Sequence, residues 1–208
     1  MTSGSPAAKT THEKQLMRLV RKRKLLRARD LAEQGLPTIT LTRLVQAGKL
    51  DRVARGLYAL PGTRMSEHRS LAEAALLVPR GVVCLLSALQ FHEIGTQVAF
   101  EVWLAIPNRV TPPRIEYPAI RIVRMSDDAL TDGLQRKRID GVEVPIFNPV
   151  RTVVDCFKFR NKIGLDVAIE ALREGWRERR FTMDELWHHA TLQRVANVMR
   201  PYIEAITA

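Results

Sequence analysis

Long hydrophobic runs are absent from this sequence, since no apolar stretch approaches the roughly 20 residues that a helix needs to cross a bilayer. The first residues, Met1 to Lys14, are polar and lack the apolar segment of a secretion signal. We therefore expect no membrane partner and a cytoplasmic location.

Cysteine is also scarce, with only Cys84 and Cys156 in 208 residues. Both lie among apolar neighbours, which favours buried free thiols in a reducing compartment. The sequence has no cluster of Cys and His with the spacing of a zinc site, and its isolated glycines form no phosphate-binding loop. These absences predict a protein without a metal or cofactor.

Positive charge is abundant and unevenly distributed. Residues 1–62 contain 13 Lys or Arg against 4 Asp or Glu, a net charge of +9. Residues 63–208 contain 20 against 18, a net charge of +2. A basic excess in one region is typical of proteins that bind nucleic acid, because each cation placed on a phosphate releases condensed counterions. A solvated basic surface or a membrane-surface patch remains an alternative from charge alone.

The basic region has the element order of a winged helix-turn-helix. Residues 12–24 and 25–34 have the apolar spacing of two helices, and Gly35 and Pro37 end the second. Residues 38–48 predict a third helix with Leu41, Leu44 and Val45 facing inward, and residues 50–60 predict a hairpin with its turn at Arg55-Gly56. We assign residues 12–62 to a DNA-binding domain, preceded by a flexible tail over residues 1–11.

In helix-turn-helix proteins the helix after the turn lies in the major groove. Its outward side chains here include an arginine and a glutamine, which suit guanine and adenine edges, and threonine hydroxyls, which suit phosphate or mixed contacts. A winged helix that only docks proteins is the alternative. The predicted DNA-binding residues are Thr38, Thr40, Thr42, Arg43, Gln46, Lys49, Arg52, Arg55, Arg27 and Arg29.

Residues 63–208 predict a larger α+β domain, because strands come between groups of helices without a regular βαβ period. The predicted strands are 98–106, 120–124 and 142–146. The predicted helix starts include Ser87 and Asn148-Pro149, and two helices over 165–177 and 184–206 close the chain.

Several motifs resemble the AbiEi-type antitoxins of type IV, abortive-infection toxin–antitoxin systems. They are Leu-Val-x-x-Gly-Lys-Leu at 44–50, Arg-Gly-Leu-Tyr at 55–58, Val-Cys-Leu-x-Ser-Ala-Leu-x-x-His-x-x-Gly at 83–95, Ile106-Pro107 and Asn-Pro-x-Arg-Thr-x-x-Asp at 148–155. The resemblance implies a repressor of its own operon that binds inverted repeats in the promoter and counteracts a nucleotidyltransferase-like toxin through its C-terminal domain. The expected nucleic-acid partner is double-stranded operator DNA, and a homodimer is the hypothesis for the bound form. A regulator without a toxin partner is the second hypothesis.

A metal-dependent nuclease is the enzyme hypothesis, with Glu101, Asp155 and either Lys158 or Lys162 as its candidate residues. Their spacing matches no metal motif, and Arg151 precedes Asp155 by four residues, which favours a structural ion pair on one helix. We interpret the chain as a non-enzyme.

A second basic surface is a further hypothesis for the larger domain, as an auxiliary contact to DNA or to a toxin. A solvated loop and strand face is the alternative. The residues of this hypothesis are Arg121, Arg124, Arg136, Lys137 and Arg138.

Overall fold

The computed structural model describes residues 6–207, with side chains from residue 11 onward. The chain divides into two compact units, and the α+β class predicted from the sequence is confirmed. Unit 1 runs to Leu76 and includes Arg138–Glu143, whereas unit 2 comprises Leu77–Lys137 and the chain from Val144 onward. The domain boundary expected from the sequence lies after residue 62.

Unit 1 contains the helices and the hairpin of a winged helix. Its elements are α1 (Pro6–Arg23), β1 (Leu25–Arg27), α2 (Ala28–Ala32), α3 (Ile39–Gln46), β2 (Asp51–Ala54), β3 (Leu57–Ala59) and α4 (Arg69–Leu77, whose last residue belongs to unit 2). The strands form an antiparallel sheet in the order β1-β3-β2. The core of the unit consists of Leu16, Val20, Leu26, Leu31, Leu36, Leu41, Leu44 and Leu50.

Two expectations for the start of the chain need correction. Residues 6–11, assigned to a flexible tail, belong to α1, while residues 1–5 lie outside the described part. Leu26, expected on the second helix, lies in β1 opposite Tyr58 of β3. Leu25 and Leu26 are both buried. The spacing of apolar residues alone does not distinguish a short buried strand from a buried segment of helix.

The second sheet is five-stranded and mixed, in the order β6-β5-β4-β8-β7. It lies in unit 2 except for residues 138–143, at the end of β7 and the start of β8, which belong to unit 1. The strand β4 pairs antiparallel with β5 and parallel with β8, and β5 pairs parallel with β6. The strands are β4 (Val82–Val83), β5 (Val102–Pro107), β6 (Ile120–Met125), β7 (Leu134–Ile139) and β8 (Val142–Phe147).

Helices cover the core of this unit. The central one, α7, begins after Asn148, whose side chain accepts a hydrogen bond from the Arg151 backbone N–H at 2.8 Å, as the Asn-Pro start predicted. The helices are α5 (Leu85–Phe91), α6 (Asp127–Thr131), α7 (Pro149–Lys158), α8 (Arg160–Ile163), α9 (Leu165–Arg177), α10 (Met183–Leu192) and α11 (Ala196–Thr207).

Two local predictions for this region are wrong, and one strand was not predicted. Ser87 is not the N-cap of α5, because the helix begins at Leu85 and its N-cap is Cys84. The Ser87 hydroxyl oxygen instead accepts a hydrogen bond from the Trp103 backbone N–H. The helix predicted over 184–206 is two helices, separated near Arg194, which has a φ of +59°. The strand β7 was missed, although Asp140 and Gly141, with φ of +47° and +81°, form the kind of turn that connects paired strands.

Candidate nucleic-acid interface

The helix α3 is held in unit 1 by one buried side. Leu41 and Leu44 are 1–2% exposed, and Val45 is half-buried against the same core. Gly48, with a φ of +66°, ends the helix and lets the Lys49 backbone N–H donate to the Leu44 carbonyl at 2.8 Å. The inward residues are therefore those that the sequence predicted.

The opposite side of α3 is exposed. Thr42, Arg43 and Gln46 point to solvent, and none of these side chains has a hydrogen-bond or ion-pair partner among residues 11–207. Thr40 is half-buried, while Thr38 precedes the helix without a side-chain cap hydrogen bond. Ile39, which the sequence analysis did not single out, is 54% exposed in the first turn.

The hairpin after α3 carries two further exposed arginines. Arg52 lies in β2 opposite Tyr58, and Arg55 lies in the turn beside Gly56, whose φ of +76° permits the tight reversal. Neither arginine forms an ion pair within the part of the chain that the structure describes. Arg43, Arg52 and Arg55 thus supply three cations without an ion pair among the described residues, within 13 consecutive positions.

Lys49 differs from these arginines because its charge is already paired. Its Nζ lies 2.6 Å from Oε1 of Glu13 on α1, and both side chains are partly exposed. The structure therefore ties the end of α3 to α1 through a residue expected to contact phosphate.

Arg27 and Arg29 also differ in whether their charges are paired. Arg27 lies 2.7–2.8 Å from Oδ1 of the buried Asp30 through two of its nitrogens, and it also donates to the Leu76 carbonyl. Arg29 is exposed and has no such partner among the described residues. The geometry favours an internal role for Arg27 and leaves Arg29 available at the surface.

The auxiliary basic residues do not form one surface. Arg121 and Arg124 lie on β6, whereas Arg136, Lys137 and Arg138 lie on β7 at the opposite edge of the sheet. The expectation of one basic face on residues 120–124 was also wrong, because positions three apart in a strand point to opposite faces.

The two β6 arginines are engaged locally. Arg121 Nε lies 2.6 Å from Glu101 Oε1, and its guanidinium lies over the Trp103 ring at 5.0 Å. Arg124 donates to the carbonyls of Asn108 and Val110 at 2.6 and 3.0 Å, which secures the proline-containing segment after β5.

The acidic residues of the nuclease hypothesis are occupied as well. Glu101 pairs with Arg121, and Asp155 is fully buried with Oδ1 3.0 Å from Arg151 Nε, which confirms the structural ion pair expected on this helix. Burial raises the pKa of Asp155 to about 6, against the opposing charge of Arg151. A buried carboxylate of this kind has no access to a phosphodiester.

Arg151 joins a wider buried network. Its Nη1 donates to Asp132 Oδ2 at 2.8 Å, and His189 Nδ1 donates to the same oxygen at 3.0 Å. Burial raises the pKa of Asp132, but its hydrogen bond to His189 and the charge of Arg151 outweigh that effect, so the net shift is downward. The network connects α7, α10 and the segment before β7, which indicates a structural role.

Residues 6–207 show neither a metal site nor a membrane-spanning helix. No group of three or more His, Cys, Asp or Glu side chains in this range is placed to hold a metal ion. None of the helices in this range has the length and apolar character of a membrane span.

A surface cavity of about 630 Å³ lies beside α9 and is lined by Thr96, Glu170 and Glu174, among others. Glu170 already accepts hydrogen bonds from Thr96, and Glu174 accepts one from the Gly95 backbone N–H.

Comparison with known proteins finds a family match for the N-terminal region. No curated protein is significantly similar to the chain in sequence. The crystal structure of RV2827C protein from Mycobacterium tuberculosis aligns over 94% of this chain and 80% of that one, with 16% identity and a TM-score of 0.48. Residues 14–61 match the family described as "Transcriptional regulator, AbiEi antitoxin". The match confirms the resemblance predicted from the sequence for this segment.

Proposed function

We propose that this protein is a sequence-specific transcriptional repressor whose helix α3 lies in the major groove of double-stranded DNA in the cytoplasm. The observation that carries the proposal is the exposed stripe of Thr42, Arg43 and Gln46, whose side chains have no partner among the described residues. A polar stripe opposite the buried Leu41 and Leu44 is the arrangement that base readout needs, because the core fixes the helix while its outer side chains remain available.

Each exposed side chain has a role that its chemistry suits. Arg43 makes a bidentate contact with a guanine, and Gln46 makes one with an adenine. Arg52 and Arg55, on the hairpin, neutralise phosphates or enter the minor groove, since neither is engaged in an ion pair within the described residues. The resulting interface separates sequence readout by α3 from charge-based positioning by the hairpin.

The family match over residues 14–61 supports a regulatory target of a particular kind. We propose that the protein represses its own operon by binding inverted repeats as a homodimer, because helix-turn-helix dimers match the twofold symmetry of such sites. We further propose that it counteracts a nucleotidyltransferase-like toxin encoded in that operon.

The DNA-binding proposal is tested by a gel-shift titration of the full chain on its own upstream promoter and on scrambled DNA. Magnesium is present, and the titration is repeated at two salt concentrations. The variants are Arg43→Ala, Arg43→Lys and, as a control, Arg200→Ala, which removes an exposed arginine from α11. Arg43→Lys keeps the charge but not the bidentate geometry, so it separates base readout from charge.

We expect preferential promoter binding, no cutting of the DNA, and a loss of about 5- to 150-fold in specific affinity for Arg43→Ala, as for one bidentate base contact. Arg43→Lys should lose most of this preference, while Arg200→Ala should behave as the wild type. Equal weak binding to both DNAs would overturn the proposal and favour a protein-docking module. Metal-dependent cleavage would instead support the nuclease hypothesis.

The toxin proposal needs a separate experiment, because unit 1 alone does not bear on it. The reading frame beside this gene is expressed alone and together with the full chain, and cell growth is measured. Rescue by the wild type and by Arg43→Ala would place neutralisation outside α3. An adjacent frame that is not toxic would favour a regulator without a toxin partner.

A further inference from the structure

Ile39 is a large apolar residue that lies at the surface of the module. It is the first residue of α3 and 54% exposed, whereas Leu41 and Leu44 on the same helix are 1–2% exposed. Positions 39, 42, 43 and 46 follow the i, i+3, i+4, i+7 spacing that places residues on one side of a helix. The isoleucine therefore extends the exposed stripe of Thr42, Arg43 and Gln46 at its N-terminal end.

Ile39 belongs neither to the core of unit 1 nor to the partly buried apolar residues packed against that core. An exposed isoleucine gains little from burial, and its branched side chain forms helix less readily than alanine or leucine. The N-cap position, Thr38, makes no side-chain cap hydrogen bond that Ile39 would shield.

The charge of the exposed residues in this module favours one class of partner for Ile39. Arg43, Arg52 and Arg55 are exposed and have no ion pair among the described residues, so the region favours a polyanion over an apolar protein surface. In helix-turn-helix complexes the N-terminal residues of the recognition helix contact base edges. The thymine C5-methyl group is the apolar group that base edges present in the major groove.

We infer that Ile39 is a specificity-determining residue that packs against a thymine C5-methyl group in each half-site. The inference rests on the proposed function and assigns the base class that the N-terminal end of α3 recognises. Thymine is preferred over cytosine at that position, since unmodified cytosine carries hydrogen where thymine carries the methyl group.

The test removes the two apolar partners one at a time. Each thymine of the operator is replaced singly by deoxyuridine, which keeps base pairing and deletes only the C5-methyl group. Wild type, Ile39→Ala and Ile39→Val are titrated on every probe, with Val98→Ala as the control, because Val98 is 60% exposed in unit 2. Thermal unfolding of each variant checks the fold, and Ile39→Val serves if Ile39→Ala does not fold.

The wild type should lose roughly three- to fivefold in affinity at one thymine of each half-site, the effect of one buried methyl group. Ile39→Ala should bind the unmodified operator more weakly by a similar or larger factor. It should lose nothing further when that thymine is replaced, and Ile39→Val should be intermediate. Val98→Ala should keep the wild-type sensitivity.

Equal sensitivity of Ile39→Ala and wild type at every thymine would overturn the inference while leaving the proposed function intact. Loss of self-association by Ile39→Ala without any sensitivity to deoxyuridine would overturn it in favour of a protein contact. Wild-type protein that does not distinguish operator from scrambled DNA would overturn the inference together with the proposed function.

Discussion

Lys49 Nζ lies 2.6 Å from Glu13 Oε1, so the residue that follows the terminal glycine of α3 is paired with the first helix of the module. Both side chains are partly exposed, and such pairs contribute about 0–1 kcal/mol to stability. The pair therefore contributes little to the stability of the fold, but it neutralises one cation of a module in which Arg43, Arg52 and Arg55 form no ion pair with any described residue.

Glu13→Gln should strengthen DNA binding, because it frees the Lys49 ammonium for a phosphate. We expect a severalfold gain on operator and scrambled DNA alike, with the salt dependence of log K steeper by about one unit. Fluorescence anisotropy over a series of salt concentrations measures both. Glu33→Gln is the matched control, because it removes an exposed acid of the module that pairs with no described residue. Equal gains for both variants would show that net charge alone acts.

Arg27→Ala and Arg29→Ala should have different consequences although the residues lie two positions apart. The first should lower stability, and the second should weaken DNA binding. Arg27→Ala leaves the buried Asp30 with the 3.6 Å contact to Arg23 as its one ion pair among the described residues, so the free energy of unfolding should fall by about 1–3 kcal/mol. Arg29→Ala should change it by less than about 0.5 kcal/mol and weaken DNA binding uniformly. Urea unfolding and gel shifts measure the two effects. Equal stability of both variants would contradict the assigned role of Arg27.

The sequence predicted α3 and the hairpin after it well, because both are defined by neighbouring residues. The apolar spacing of Leu41 and Leu44, the glycine after α3 and the Arg55-Gly56 turn are all properties of neighbouring residues. The same holds for Asn148 at the start of α7, where the cap lies next to its helix.

Features that depend on distant pairing were not predictable in this way. Periodicity did not show that β6 and β7 lie at opposite sheet edges, because strand order is set by long-range hydrogen bonds. The partners Glu13 and Asp30 likewise decide which cations remain free, and spacing alone identified neither. Charge counts therefore overestimated the number of cations available to DNA.

Cys84 and Cys156 should be unreactive in the folded protein. Burial raises the pKa of both thiols well above its ordinary value, so little thiolate forms and reagents have no access. At pH 8 a colorimetric disulfide reagent should detect no thiol under native conditions and two per chain in denaturant. Rapid native reaction would contradict the burial of these side chains in unit 2.

Asp155 should make the stability of unit 2 depend on pH between about 4 and 6. Burial raises the pKa of its carboxyl to about 6, so the folded state binds a proton more tightly than the unfolded chain does. The resulting stabilisation is present below the unfolded pKa and is lost as the pH rises through about 6, with a magnitude on the order of 1–3 kcal/mol.

Asp155→Asn should remove this dependence, since asparagine has the shape of the carboxyl group without its titration. Urea unfolding at pH 4.5 and 7 should show the wild type losing stability relative to the variant as the pH rises, while Asp184→Asn, at an exposed site on α10, should not alter the wild-type profile. If the wild type gained stability relative to Asp155→Asn over this interval, Arg151 would have to hold the carboxylate ionised. The Arg151–Asp155 pair would then be a net stabilising ion pair despite its burial.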